Sequence, residues 1–305
     1  MASGARQDIH IEAGSALAQI GAELRKRHGG VVGCIAYGSC LRSGDPFDGL
    51  IDFYLIVDNY RTALGPGMAA CFNWLLPPNV YYAEVSLEKG LARVKYSLLS
   101  LADLEQGCER KFETYVWGRF AQPVGLYGLS QAGHGERVQS ALKSAAARLI
   151  DETLPLLRGE FTSRDLWTLG ISKSYATELR AEKDGRVREI LEHAPKHYQG
   201  LAALRLEGVP SIERLEQDGW TARTSMTASI VCRAKWLLRS LLGKLLSLLR
   251  LLKAYFTFRD GIDYLAWKLS RHSGQVIEVP AKVRRFPLIF GWPFFVRLYR
   301  KGVFK

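Results

Sequence analysis

A glycine and a serine after one predicted strand, and an aspartate opening the next, are the residues of this sequence best suited to chemistry. Gly38 and Ser39 follow the apolar run at 31–36, and Asp52 lies in the apolar run at 51–57. Glycine lets the backbone approach phosphate oxygens closely, and serine at a turn adds a hydroxyl and an N–H. An aspartate carboxylate suits Mg²⁺. The spacing therefore indicates a phosphate and magnesium site, although an ordinary strand–turn–strand shares the local pattern.

An ordered series of short segments extends this pattern along the chain. The segments are Tyr37-Gly38-Ser39, Ile51-Asp52-Phe53, Pro78-Asn79-Val80-Tyr81-Tyr82, Val94-Lys95-Tyr96 and Tyr115-Val116-Trp117-Gly118-Arg119 with Gln122-Pro123-Val124. In them the chain resembles the mitochondrial-type phosphatidate cytidylyltransferases, the non-polytopic CDP-diacylglycerol synthases. A stretch from Tyr175 through Arg180 to Val187 resembles the same family, so the likeness covers roughly residues 30–200.

The resemblance implies a reaction between two phosphorylated substrates. A phosphate oxygen of phosphatidate would attack the α-phosphorus of CTP, giving CDP-diacylglycerol and pyrophosphate, with Mg²⁺ as cofactor. The attacking oxygen is already ionised near neutral pH, so little general-base help is required. Alignment of the two anions and screening of their charge must therefore supply most of the rate.

The resemblance also implies roles for individual side chains. Asp52 would hold Mg²⁺, and Lys95 would neutralise phosphate charge, with Arg93 on the same strand face. A solvated strand lysine is the alternative for Lys95. The predicted nucleotide-binding residues are Gly38, Ser39, Arg93, Lys95 and Tyr96.

The second metal-binding carboxylate is the weakest part of the predicted site. Nucleotidyltransferases usually carry two carboxylates at alternate strand positions, but Tyr54 stands two residues after Asp52. Glu84 lies on another predicted strand and is expected to come alongside as the second ligand. The predicted catalytic residues are thus Asp52, Glu84 and Lys95, and the weaker carboxylate candidates are Asp45 and Asp48, which turns also favour.

A basic segment in the second half of the chain could bind the phosphate of the lipid. Tyr175 and Arg180 match the pattern of the resembled family and are expected to contact this phosphate. Lys183 and Arg186 lie close by in the sequence. A solvated basic helix face is the alternative for all four residues.

The order of predicted elements indicates an α/β fold with a second region that is helical. Strands are predicted near 31–37, 51–57, 79–87 and 91–97, and helices near 10–27, 68–76, 101–106, 110–120, 139–149, 163–181 and 186–193. We expect a nucleotidyltransferase-like mixed sheet with helices, a smaller helical domain and a basic amphipathic C-terminal segment. The expected boundaries are 1–128, 129–224 and 225–305.

The net positive charge of the chain comes entirely from its last part. Residues 225–305 contain 16 Lys and Arg against 3 Asp and Glu, a net charge of +13, within a chain whose total is +12. The remaining residues therefore carry a net charge of −1. An anionic partner is expected for the tail rather than for the rest of the chain.

The segment 235–253 predicts an amphipathic helix at a membrane surface. Its leucines fill one arc, and the opposite arc holds Lys235, Arg239, Arg250 and Lys253. Interior cations make a spanning helix costly, so we expect a helix in the interface plane, its leucines in lipid and its cations against anionic headgroups. A second apolar and basic patch follows at 286–295. The alternative is a leucine face packed on the protein's own core. Nucleic acid is not expected as a partner, since the aromatic residues of the tail form no stacking platform.

The cysteines and the first residues bear on location. The five cysteines are scattered and include no CxxC pair, which fits a reducing compartment better than a disulfide framework or zinc site. The first residues include Asp8 and Glu12 and lack a long apolar core, so neither a secretory signal nor a good transit peptide is expected. We expect a peripheral protein on the cytoplasmic face of a bacterial inner membrane, with the matrix side of the mitochondrial inner membrane as the alternative.

The sequence thus favours a phosphatidate cytidylyltransferase that works at a membrane surface. A nucleotidyltransferase with a different acceptor is an alternative within the enzymes. A catalytically inactive membrane-binding adaptor that kept the fold is the alternative from another class.

Overall fold

Strands and helices alternate through the first half of the chain, and helices dominate the second half. The computed structural model describes residues 8–10, 15–38, 40–41, 47, 49–129, 132–179, 184–216, 218–257, 266, 270, 277–285 and 287–300. The strands are β1 (Asp8–His10), β2 (Val31–Tyr37), β3 (Ile51–Val57), β4 (Asn79–Leu87), β5 (Gly90–Ser100), β6 (Val124–Tyr127), β7 (Gly159–Thr162), β8 (Ile212–Arg214) and β9 (Gly219–Ala222). The helices are α1 (Ala16–Arg25), α2 (Tyr60–Leu64), α3 (Met68–Leu75), α4 (Leu101–Glu109), α5 (Trp117–Phe120), α6 (Ala132–Thr153), α7 (Ser163–Tyr175), α8 (Asp184–His193), α9 (Pro195–Leu206), α10 (Met226–Thr257), α11 (Ala281–Arg285) and α12 (Pro287–Arg300).

A mixed sheet of six strands, in the order β1-β6-β2-β3-β5-β4, organises the first half. β2 and β3 are antiparallel, β4 and β5 form an antiparallel hairpin, and β3 and β5 are parallel neighbours. Parallel neighbours need a crossover connection, which here contains α2, α3 and β4. This confirms the expected α/β fold class with its mixed sheet.

Both faces of the sheet are covered, because successive side chains on a strand point to opposite faces. Phe53 and Leu55 pack with Ile20 and Leu24 of α1 on one face. Tyr54 and Ile56 point to the other face, where they join a buried cluster with α4, α5 and α6. The candidate site lies at the end of this second face where β3 begins.

The second region consists mainly of helices, as expected, but it also includes strands that were not predicted. It contains a three-stranded antiparallel sheet in the order β7-β9-β8. Phe161 and Trp220 are paired across β7 and β9, and both are buried in the cluster that also covers the main sheet. Cross-strand burial of two large rings stabilises this small sheet.

Three predicted helices are clearly shorter than expected, and the one predicted at 163–181 ends at Tyr175. Of the segment 110–120, only Trp117–Phe120 is helical. The carboxylate of Glu113 accepts a hydrogen bond from the N–H of Tyr115 at 2.8 Å, and such local side-chain bonds compete with helix formation. Near the start of the chain the helix is Ala16–Arg25 rather than 10–27, and Asp8–His10 pairs in parallel with β6 instead.

Candidate active site

A row of four polar side chains crosses the second face of the sheet. In the strand register Asp52 is opposite both Tyr37 and Lys95, and Lys95 is opposite Tyr82. Directly opposed residues point to the same face of a sheet. The Nζ of Lys95 lies 3.8 Å from Oδ1 of Asp52. The structure therefore brings together the carboxylate and the lysine that the sequence assigned to the site.

Asp52 lies in a setting that combines burial with positive charge. Burial raises the pKa of its carboxyl, while Lys95, Arg119 and Arg186 act in the opposite direction. Gly38 adopts a φ of 87°, a conformation that favours glycine, and a Cβ built on it would lie 3.6 Å from Oδ2 of Asp52. The backbone after β2 thus closely approaches the Asp52 carboxylate.

Arg119 is a central residue of the site that the sequence analysis did not assign. Its guanidinium donates a hydrogen bond to the Tyr54 hydroxyl at 3.0 Å and forms an ion pair with Glu178 at 2.6 Å. Its side chain is 16% exposed. The guanidinium is held in one orientation between the sheet and the second region. The sequence did contain a signal that could have identified Arg119, because the segment Tyr115–Arg119 is part of the family resemblance.

Tyr115 is packed between two guanidinium groups. The centre of Arg119 lies 4.3 Å from its ring centroid, and the centre of Arg250 lies 3.9 Å from it. Burial acts to raise the pKa of Tyr115, but Arg119, Arg250, a hydrogen bond with Tyr54 and Lys95 together lower that pKa. Arg250 also forms an ion pair with Glu113 at 3.2 Å. The long helix α10 thus contributes a cation beside the site.

The pairing of Asp52 and Glu84 at one metal ion is wrong. Glu84 is opposite Arg93 in the β4–β5 hairpin, which places it two strands and two residues from Asp52, or about 12 Å. Its carboxylate accepts a hydrogen bond from Tyr82 at 2.8 Å and lies 3.5 Å from Arg93. Glu84 therefore pairs with Arg93, a predicted nucleotide-binding residue, at the edge of the sheet.

A magnesium ion fits the site through Asp52 together with ligands from a substrate. The described residues contain no group of three His, Cys, Asp or Glu side chains that could hold a metal. Mg²⁺ is nevertheless commonly bound by one or two carboxylates plus substrate phosphates. Asp52 is one such carboxylate, and the cations around it suit a phosphate-bearing ligand.

Tyr96 does not belong to the site, so its assignment to nucleotide binding was wrong. Because it follows Lys95 directly, its side chain points to the opposite face of the sheet. It is buried there, with its hydroxyl 3.1 Å from Nε2 of His28 and its ring stacked on Tyr81. This side chain stabilises the packing of α1 against the sheet.

Side chains from the second region border the site along a narrow crevice. Tyr175 accepts a hydrogen bond from Nε2 of Gln122 at 3.2 Å, and Gln122 lines the crevice. Arg186, on α8, is close enough to affect the pKa of Asp52. Ser39 and Arg180 lie outside the described residues. The residues that line the crevice are Tyr37, Gly38, Leu41, Arg119, Gln122, Pro123, Ile190, His193 and Tyr198.

Three of the four cations predicted to face a membrane are instead directed into the protein. Arg239 is 1% exposed, forms an ion pair with Glu152 at 2.7 Å and donates to the carbonyl of Phe112 at 3.1 Å. Arg250 and Lys253 donate hydrogen bonds to the carbonyls of Pro77 and Pro78 in the main domain, the part of the chain up to Tyr127 that forms the six-stranded sheet with its helices. The prediction was wrong for these residues because each finds partners in distant segments of the chain. Lys235 is exposed.

The leucine face of α10 points outward, so the alternative of a leucine face packed on the core was also wrong. None of the described helices combines the length and apolarity needed to cross a bilayer. The exposed leucines are Leu237, Leu238, Leu241, Leu245, Leu248, Leu249, Leu251 and Leu252. The helix thus exposes its leucines on the surface of the molecule, while Arg239, Arg250 and Lys253 face the rest of the protein.

A larger cavity, of about 800 Å³, lies at the other end of β3 and β5. Its lining includes Asp58, Trp74 and Lys111, but none of the predicted site residues. The polar groups at its base are already paired, since Asp103 accepts hydrogen bonds from Tyr60 at 2.7 Å and from Lys111 at 2.9 Å. Of the predicted site residues, Gly38 lines the smaller crevice, whereas Asp52 and Lys95 are in the lining of neither.

No protein-family model and no curated protein sequence matches this chain. These comparisons therefore do not test the family resemblance of the short segments, which stays a prediction. The function is therefore inferred below from the side chains around Asp52.

Proposed function

We propose that this chain is a Mg²⁺-dependent nucleotidyltransferase that makes CDP-diacylglycerol and pyrophosphate from CTP and phosphatidate at a membrane surface. The observation that carries the proposal is the setting of Asp52. One carboxylate at the open end of a mixed sheet lies 3.8 Å from Lys95 and within the electrostatic reach of Arg119 and Arg186.

This arrangement suits a reaction between two anions. A phosphate oxygen of phosphatidate attacks the α-phosphorus of CTP, the bond from that phosphorus to the bridging oxygen breaks, and pyrophosphate leaves with the bonding electrons. No proton has to be removed from the nucleophile, so a general base is not required. The residues must instead hold two repelling groups in line and screen their charge.

The cations of the site can divide this work. Lys95 extends from the sheet beside Asp52, while Arg119 is fixed by Tyr54 and Glu178. Because the guanidinium of Arg119 is already fixed, its N–H donors lose little conformational entropy when they bind a phosphate group. Asp52 would hold Mg²⁺, which when bound supplies charge neutralisation to the triphosphate.

The acceptor class is supported by the outward leucine face of α10. Phosphatidate lies in a bilayer, and an enzyme that acts on it must reach that surface. The helix that exposes its leucines also places Arg250 on Tyr115, next to Arg119. The apolar surface and the site are thus joined by one helix. We place the protein at the cytoplasmic face of a bacterial inner membrane, with the matrix side of the mitochondrial inner membrane as the alternative.

A catalytically inactive adaptor is the second candidate function. It is supported by the exposed leucine face of α10, which needs no nucleotide chemistry to bind a membrane. Such a protein would keep the fold and the exposed leucine face without turning over nucleotide. A nucleotidyltransferase with another acceptor would keep Asp52 and Lys95 but would not require phosphatidate.

The test is incubation of purified protein with each of the four labelled nucleoside triphosphates, Mg²⁺ and phosphatidate vesicles. We expect lipid-linked product with CTP, and we expect Asp52→Asn to lower turnover at least about a hundredfold because a key charge is lost. Asp58→Asn is the matched control, since Asp58 is exposed just beyond the far end of the same strand.

The other outcomes separate the candidates. Product that forms without phosphatidate would indicate a different acceptor. The absence of both turnover and Mg²⁺-dependent nucleotide binding would favour the adaptor. Asp52→Asn with more than a tenth of the original activity and an unchanged melting curve would remove Asp52 from the proposed site.

A further inference from the structure

The exposed apolar surface of α10 is broad and continuous along the helix. At about 100° per residue its exposed apolar side chains span an arc of about 160°. The 32 residues of the helix include no Asp or Glu. Exposed apolar patches of this extent usually mark a site of contact with a partner or a membrane.

A second apolar surface lies on α3, which belongs to the main domain rather than to the tail. Trp74 is 72% exposed there, and Met68 and Leu75 are similarly exposed. Met68 and Leu75 are seven residues apart and so share one face of α3. Tryptophan is enriched where proteins meet the headgroup region of a bilayer, because its ring is large, apolar and carries one N–H.

The two surfaces are joined by hydrogen bonds at the ends of their helices. Lys253 donates to the carbonyls of Leu76 and Pro78, the second at 2.8 Å. Arg250 donates to the carbonyl of Pro77 at 3.2 Å. The segment 76–78 directly follows α3, so exposed Leu75 and exposed Leu252 each lie next to a residue of this junction.

The charges around the apolar arc identify the kind of partner. Arg233 and Lys244 lie along one edge of the arc, and Lys235 lies beyond the other. A second copy of the chain would bring these like charges together, which opposes association. Anionic lipid headgroups would complement them, while the leucines enter the acyl region.

We propose that the leucine face of α10 and the exposed face of α3 form one docking surface for an anionic lipid bilayer. The inference rests on the proposed function, which needs access to a bilayer lipid, and it adds the main domain to the contact. Arg250 and Lys253 fix the two helices to each other, so both enter the same leaflet together.

Cys71 provides a direct test, because it lies on α3 and is exposed while the other four cysteines are buried. The full-length protein is labelled at Cys71 with an environment-sensitive fluorophore and mixed with vesicles of phosphatidylcholine and phosphatidylglycerol. We expect a blue-shifted emission that quenchers in the acyl chains reduce. Vesicle binding with an emission that stays water-like would overturn the proposal.

Substitutions then test each part of the surface. Trp74→Ser on α3 and Leu245→Ser on α10 should each weaken vesicle binding by about tenfold. Leu204→Ser is the matched control, because Leu204 is 64% exposed on α9, outside this surface. Equal weakening in all three variants would contradict the proposal. If a variant fails to fold, the fluorescence of the protein labelled at Cys71 still tests the proposal, because that experiment needs no substitution in the surface.

Two further results distinguish the possible occupants and functions. A protein that does not bind vesicles but sediments as a dimer, and becomes a monomer in Leu245→Ser, would show a second copy on the leucine face. A monomer that does not bind vesicles would show that the face does not bind this bilayer. Either result overturns the proposal. No CTP or phosphatidate is present in these assays. A failure of turnover would therefore refute the proposed function alone.

Discussion

Replacing Arg239 by Met tests directly whether the cations of α10 hold the helix to the protein or face lipid. The side chain is 1% exposed and forms an ion pair with Glu152 at 2.7 Å. It also donates to the carbonyl of Phe112 at 3.1 Å, and its guanidinium lies 4.7–5.5 Å from the ring centroids of Phe112, Trp117 and Trp236.

The expected loss of stability follows from these contacts. Removing one partner of a buried ion pair typically costs about 3–5 kcal/mol, since the other charge stays behind without compensation. Glu152 keeps 23% exposure of its side chain and can regain some water, which places the expected value near the lower end, about 3 kcal/mol. Lys235→Met on the same helix is the control, because an exposed side chain should change stability by less than about 0.5 kcal/mol.

Urea unfolding followed by circular dichroism measures these differences, and vesicle binding is measured on the folded proteins. We expect Arg239→Met to lower stability while the folded fraction still binds vesicles. An unchanged unfolding midpoint together with lost binding to anionic vesicles would refute the inward orientation. It would restore the orientation expected from the sequence, with the cations against lipid.

Three other outcomes follow from the site and its surroundings. Lys95→Ala should weaken CTP binding in calorimetry but leave vesicle binding unchanged, and the reverse pattern would place the nucleotide elsewhere. Arg119→Lys should lower turnover at least about tenfold, because an ammonium cannot hold Tyr54 and Glu178 as a planar fork does; activity equal to the parent would exclude Arg119 from the reaction. Burial and then Arg250 lower the pKa of Lys253 to about 7, so the unfolded chain binds more protons above that pH. Stability should rise from pH 7 towards pH 10, and this rise should shrink in Lys253→Met when urea unfolding is compared at both pH values.

The strands of the sheet could be predicted because apolar runs and turn residues define them locally. β2, β3 and β4 have the predicted bounds 31–37, 51–57 and 79–87. The sequence also assigned Asp52 and Lys95 to one site, and the structure brings them together although 43 positions separate them. Their contact depends on parallel pairing of β3 and β5, which the expected fold class implies but which no local pattern specifies.

The orientation of α10 could not be predicted in the same way. Periodicity separates the leucines from the cations, but it does not state which face meets the protein. Glu152, Glu113 and the carbonyls at 76–78 decide that, and they come from distant parts of the chain. The prediction for Tyr96 was wrong for a related reason. Adjacent residues of a strand point to opposite faces of the sheet, and only the strand register shows which of them shares the face of Asp52.

The register between β3 and β5 also restricts how the length of the chain can change. β4 and β5 are joined by the two residues 88 and 89, and Lys95 follows Gly90 by five positions. One residue inserted between Gly90 and Lys95, with the turn kept, would place Val94 opposite Asp52 and turn Lys95 to the face occupied by α1. An insertion of two residues would return Lys95 to the site face, two positions further along β5. Natural variants that keep Lys95 on the site face should therefore differ in this segment by even numbers of residues.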